Sequence, residues 1–140
     1  MRTSMVTVDE GVSVAEASLT MYKKREGCAI VLREGKPLGI LTEHDVTWKV
    51  AGKGLDSKSV RVAEIMSAPL ITIDPDADLT VAAKLMKKHK IWRLAVVKEG
   101  VILGVLTAAD IVSNLESYMD REMRDILGYL VRPRYLPEEG

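Results

Sequence analysis

In 140 residues the chain has one cysteine, no phenylalanine, no glutamine, one asparagine and two histidines. A lone cysteine, Cys28, cannot build a disulfide framework within the chain, and it rules out a multi-cysteine zinc site. The histidines, His44 and His89, have no ligand-spaced cluster around them, so metal chemistry is not expected. Net charge is missing too, because 20 Lys and Arg balance 20 Asp and Glu. A neutral chain lacks the basic footprint of a general nucleic-acid binder. No apolar run reaches the roughly 18 residues that a membrane span needs. No charged-then-apolar leader opens the chain. The expectation is a soluble, cytoplasmic protein. The shortage of amides beside many charges points to a heat-adapted source, although the seven methionines argue against it.

What is present is a core and a repeat. Apolar residues make up 47% of the chain, enough to bury a real core in one domain or in two small halves. Moving the sequence along itself by 65 positions superimposes it without a gap. Val6-Thr7-Val8-Asp9 falls on Ile71-Thr72-Ile73-Asp74, and Glu34-Gly35 on Glu99-Gly100. Leu38-Gly39-Ile40-Leu41-Thr42 falls on Leu103-Gly104-Val105-Leu106-Thr107, with Asp45 on Asp110. Such a repeat sets the architecture before any local reading does.

Each copy reads β-α-β-β-α, an α+β fold. A short β-rich run, Met5–Val8 or Leu70–Ile73, is followed by an amphipathic helix near residues 12–24 or 79–90. Val14, Ala17 and Met21 recur there at helical spacing, as do Leu79, Ala82, Leu85 and Met86. Two β-branched runs then form a hairpin, turning at Glu34-Gly35-Lys36-Pro37 and at Glu99-Gly100. A second helix starts at Thr42 or Thr107. Residues 52–59 read as a linker, and a short helix over Val60–Met66 leads into the second copy. The domain expectation is 1–57 for the first repeat, 58–120 for the second, and 121–140 for a helix end and tail. Each small sheet leaves a face bare, which pseudo-two-fold packing of the halves would cover. One long last helix is expected from Ala108 to about Leu130. Its apolar stripe of Ile111, Leu115, Tyr118, Met119, Met123, Ile126, Leu127 and Leu130 needs cover, either from a second copy or by folding back. Arg132-Pro133-Arg134-Tyr135-Leu136-Pro137 reads as a tail or docking strap.

With these motifs in order, twice, residues 5–120 resemble a tandem pair of CBS (cystathionine β-synthase) domains, a Bateman module. The resemblance rests on Gly39-Ile40-Leu41-Thr42-Glu43-His44-Asp45 and Gly104-Val105-Leu106-Thr107-Ala108-Ala109-Asp110. Ile65-Met66-Ser67-Ala68-Pro69-Leu70-Ile71-Thr72-Ile73 and Ile91-Trp92-Arg93-Leu94-Ala95-Val96-Val97 add to it. It implies a regulatory module, not an enzyme, that binds AMP, ADP, ATP or S-adenosylmethionine in clefts between the halves. It also implies homodimeric pairing into a disc and an unidentified regulated partner. The alternative is a ligand-free dimerising scaffold. No nucleophile–base pair and no carboxylate–metal set argues for catalysis.

The chemistry of Thr-x-x-Asp fits such a ligand. Threonine and aspartate three apart share one helical face. An ionised carboxylate is acceptor-only and takes two donors, as the ribose 2′- and 3′-hydroxyls would supply. Thr42 and Asp45, and Thr107 and Asp110, are the candidate ribose and phosphate groups. The same spacing also makes a capping box, a purely structural reading. Arg93 is the candidate phosphate cation, with its bidentate guanidinium, and His44 can contribute when protonated. Lys24 and Lys90 end the first helices, where pairing with the helix dipole accounts for them. With few cations converging, AMP or ADP is favoured over ATP. The family pattern assigns the adenine walls of the second cleft to Ala68, Pro69, Leu70 and Ile71 on one side, and to Leu94 and Ala95 beside Arg93 on the other. In the first cleft the matching walls are Met5 and Val6, and Cys28, Ala29 and Ile30. There Glu26-Gly27-Cys28 replaces Ile91-Trp92-Arg93, so the second cleft ranks higher. Taken singly, each apolar wall residue reads equally as core.

Overall fold

The computed structural model describes residues 5–115 and 120–130, apart from the side chains of residues 115, 124, 127 and 128. The chain forms two compact units that part between Ile71 and Thr72. In the first, the order is β1 (Thr7–Asp9), α1 (Val14–Lys24), β2 (Cys28–Arg33), β3 (Lys36–Thr42), α2 (Glu43–Lys49), a 3-10 turn (Ala51–Lys53) and α3 (Val62–Ile65). In the second it is β4 (Thr72–Ile73), α4 (Leu79–His89), β5 (Arg93–Lys98), β6 (Val101–Thr107), α5 (Ala108–Leu115) and α6 (Arg121–Leu130). Each unit has a three-stranded sheet in sequence order, a parallel pair followed by an antiparallel hairpin.

The backbone repeats as closely as the sequence does. Thr7 pairs with Ile30 and Thr72 with Ala95, and the register slips between Val31 and Leu32 and again between Val96 and Val97. Both hairpins turn on two residues of positive φ: Glu34 at 51° with Gly35 at 77°, and Glu99 at 50° with Gly100 at 79°. Two successive left-handed residues make the type I′ turn, whose twist matches that of the strands it joins. Helices α1 and α4 both stop at a left-handed residue, Arg25 or Lys90, each at φ 55°. A side chain is strained in that conformation, and glycine is not. Lys90→Gly is therefore expected to stabilise the chain by about 0.5–1 kcal/mol, read as a higher urea midpoint at unchanged slope.

In the first unit, α1 lays Val14, Ala17 and Met21 on the sheet, against Val6, Ala29, Val31 and Leu41. Ser13 caps α1, its hydroxyl accepting the Glu16 N–H at 3.1 Å. The linker and α3 are built into this unit. Ala15 N–H donates to the Ser57 carbonyl, Val14 N–H to that of Val60, and Val62 N–H to that of Val12. Val62 and Ile65 complete the same core. Beyond α3, Ser67 pairs with Ile40 on the outer edge of β3. Each backbone N–H donates to the other residue's carbonyl at 2.9 Å, and Leu70 N–H follows onto the Leu38 carbonyl at 3.2 Å. In the second unit Ile73, Ala82, Met86, Leu94, Ala95, Val96, Val105 and Leu106 are buried.

The last helix corrects the expectation of one long element. The described part of α5 spans Ala108–Leu115, and α6 begins afresh at Arg121. Asp120 lies outside the helix, and its Oδ1 accepts the Met123 N–H at 2.9 Å, which starts α6 as a capping carboxylate does. Residues 116–119 and the tail 131–140, with the strap read at Arg132–Pro137, lie outside the described residues. On α6, Met123, Ile126, Tyr129 and Leu130 are exposed.

Candidate functional site

Both Thr-x-x-Asp pairs stand where a strand becomes a helix. Thr42 closes β3 and caps α2: its Oγ1 accepts the Asp45 N–H at 3.2 Å, and its own N–H donates to Asp45 Oδ2 at 2.9 Å. Thr107 and Asp110 repeat the arrangement at 3.1 and 2.8 Å. Each helix start is also tied to the mouth of the preceding strand, Glu43 N–H to the Gly27 carbonyl and Ala108 N–H to that of Trp92. The capping box weighed in the sequence is thus present in both copies. A carboxylate has about four acceptor positions, and the cap uses only part of them.

The two copies differ in what surrounds the aspartate. Asp45 is buried, at 4% exposure. Its Oδ2 also accepts the Thr42 hydroxyl at 3.1 Å, and its Oδ1 pairs with Lys49 Nζ at 3.0 Å. The same ammonium donates to the Ile65 carbonyl at 2.9 Å, at the end of α3. Asp110 is only half-buried, and the residue one turn on is Asn114, exposed and uncharged. The reading from sequence missed Lys49. Its spacing of four from Asp45 was the available signal.

Arg93 opens β5 and is the direct register partner of Thr107 on β6. Residues directly opposite in an antiparallel pair project from the same face of the sheet. A half-buried guanidinium and the Thr107–Asp110 pair therefore belong to one end of one sheet. Cys28 takes the equivalent place opposite Thr42 and is buried. His44 lies on the exposed side of α2, its ring stacked on Trp48 with centroids 5.1 Å apart. Lys24 and Lys90 are exposed at the ends of their helices, as dipole pairing requires.

The apolar walls divide sharply. Ala68 and Pro69 are exposed and Leu70, Ile71 and Met5 half-buried, with the segment Ser67–Leu70 fixed along β3. Val6, Cys28, Ala29, Ile30, Leu94 and Ala95 are buried side chains. Their burial suits the core reading that each apolar wall residue carries when taken singly. Cys28, Ala29 and Ile30 are consecutive, as are Leu94 and Ala95, so residues on both faces of each strand are buried. Ala68–Ile71 belongs to the first unit, and Arg93, Thr107 and Asp110 to the second. Among the described residues no group of three or more His, Cys, Asp or Glu side chains is placed to hold a metal ion, and no helix is long and apolar enough to cross a membrane.

The CBS domain profile matches residues 1–52 and 62–117. The CBS domain-containing protein YhcV of Bacillus subtilis is 30% identical over 114 residues, 81% of each chain. Other relatives are longer, and this chain spans 52% of one and 33% of another. The structure of a hexameric CBS-CP12 protein from bloom-forming cyanobacteria superimposes with a TM-score of 0.77 at 31% identity, covering 90% of this chain and 76% of that one. The CBS domain protein PAE2072 from Pyrobaculum aerophilum, complexed with AMP, superimposes with a TM-score of 0.71 at 25% identity, covering 92% and 95%. Proteins of this kind are in general regulatory ligand-binding modules and not catalysts. Two profile matches, a duplicated β-α-β-β-α backbone and relatives of the same description agree: the chain belongs to the CBS domain family, as a tandem pair.

Proposed function

We propose that the chain is a regulatory module that binds an adenosine nucleotide, AMP before ADP or ATP, through its second Thr-x-x-Asp pair. The observation that carries this reading is the register pairing of Arg93 with Thr107, one helical turn from Asp110. A carboxylate accepts from the paired ribose hydroxyls, and a guanidinium at the same sheet end binds phosphate through parallel hydrogen bonds. The AMP complex of the Pyrobaculum relative supports the ligand class. Binding that differs between two states of the module would then bias a partner, with couplings of about 1–3 kcal/mol in such systems.

Dialysed protein is expected to give calorimetric heat with AMP and to melt higher in its presence. At a hundredfold excess over Kd the added stability is about 2.7 kcal/mol. The exposed apolar side chains of α6 favour a second reading, a ligand-free assembly subunit formed by copies of this chain. Neither heat nor a melting shift with AMP, ADP, ATP or S-adenosylmethionine, from a chain that still self-associates, would replace the first reading with the second.

A further inference from the structure

The two hairpins share every register pair, yet the described residues cover the outer edge of only one of them. Ile40 lies opposite Ile30, and Val105 lies opposite Ala95, at the same place in each hairpin. In the first sheet the Ile40 N–H and carbonyl turn away from β2 and bond the Ser67 carbonyl and N–H, both at 2.9 Å. The matching register turns the Val105 N–H and carbonyl to the outer edge of β6. Among the described residues nothing pairs with that edge. Gly104 and Val105 are nonetheless buried, Val105 at 5% exposure. Buried backbone groups are almost always paired, so this edge needs an occupant.

We propose that residues 1–4 are that occupant, lying antiparallel along β6 with Arg2 opposite Val105. The shift of 65 that superimposes the repeats carries Met1-Arg2-Thr3-Ser4 onto Met66-Ser67-Ala68-Pro69, and it carries Ile40 onto Val105. Residues 1–4 stand as far ahead of β1 as residues 66–69 stand ahead of β4. The glycines support the same contact. A Cβ at Gly39 would stand on the Ser67 carbonyl oxygen, and glycine recurs at residue 104, where the Arg2 carbonyl would come equally close. Glycine inside a strand marks such a close backbone approach. The C-terminal residues 131–140 fit less well, because Pro133 and Pro137 lack the N–H that an edge partner donates. Burial of Gly104 and Val105 within a single chain also argues against a second copy as the cover.

The test is amide hydrogen exchange by nuclear magnetic resonance on the full chain, with the Ile40 amide as internal standard. The expected result is slow exchange at Val105, comparable with Ile40. An amide–amide Overhauser contact between Arg2 and Val105 is expected to match that between Ser67 and Ile40. Deleting residues 1–4 is expected to speed exchange at Val105 by at least about a hundredfold and to leave Ile40 unchanged. The deletion is also expected to abolish the fall in urea midpoint that Gly104→Ala causes in the full chain. The two measurements on the unaltered chain decide the matter even if the shortened one does not fold. Fast exchange at Val105 in the full chain, or no contact between Arg2 and Val105, would overturn the proposal. So would protection of Val105 that survives the deletion, that disappears on dilution as a second copy would require, or that depends on residues 131–140 instead.

Discussion

Replacing Gly39 with alanine is expected to lower the stability of the chain by about 3 kcal/mol, with both overpacking and lost hydrogen bonds contributing. A Cβ at this buried position would stand on the Ser67 carbonyl oxygen, with Ala68 Cβ and Met66 Sδ each 3.3 Å away. The first obstacle is backbone, so no rotamer change relieves it. Making room means lifting Ser67–Leu70 off β3, which breaks the reciprocal pair between Ile40 and Ser67 and the bond from Leu70 to Leu38. Each such bond contributes about 1 kcal/mol net. Urea unfolding measures the change, and an unchanged slope would show that the denatured state is not the cause. A loss below about 1 kcal/mol would mean that this segment does not lie against β3.

Asp110→Asn is expected to weaken AMP binding about a hundredfold, on the footing that two hydroxyl donors lose an ionised acceptor at about 1.5–3 kcal/mol for each charged hydrogen bond. The substitution keeps the shape of the side chain and one amide oxygen. That oxygen can still accept the Thr107 N–H, now 2.8 Å from Oδ2. Stability should therefore change by no more than about 1 kcal/mol, the scale of a helix cap. The contrast between a large binding loss and a small folding loss separates a ligand contact from a structural one. Calorimetry and urea unfolding on the same preparation check both. Full affinity in the variant would remove the ribose contact from the proposed function.

Much of the fold could be read directly from residue order. The shift of 65 carries Val14, Ala17 and Met21 onto Leu79, Ala82 and Met86, and the helices that these residues build begin and end at matching positions. Glu-Gly announced both hairpin turns, because only a few dipeptides suit two successive left-handed residues. The break before α6 was hidden, since the apolar stripe continues across it. A helical period marks a face and not where the backbone bonds are interrupted. Asp120 was the available stop signal, a capping carboxylate inside an otherwise helical pattern.

The site was legible in part. Thr42 with Asp45 and Thr107 with Asp110 are joined as their spacing requires, and Arg93 falls beside Thr107 because strand register follows from the hairpin turn. The burial of Val6, Cys28, Ala29, Ile30, Leu94 and Ala95 was not decidable from order alone, because an apolar strand residue suits a ligand wall and a core equally. The Lys49 contact with the Ile65 carbonyl joins elements distant in the chain, and no local pattern encodes it.

The pairing of Ser67–Leu70 with β3 has a consequence for how the molecule is made. A ribosome releases the chain from its N-terminus, and domains generally fold as they emerge. When residue 57 has left the exit tunnel the first helix, hairpin and second helix are available, yet Val62 and Ile65 are still missing from the interior they complete. The border of the sheet stays open until residue 70 appears. Exposed strand borders invite pairing with neighbouring chains, so the nascent first half remains vulnerable for about a dozen residues beyond the end of its own sequence repeat. Its maturation waits on a stretch that translation delivers as the opening of the second half.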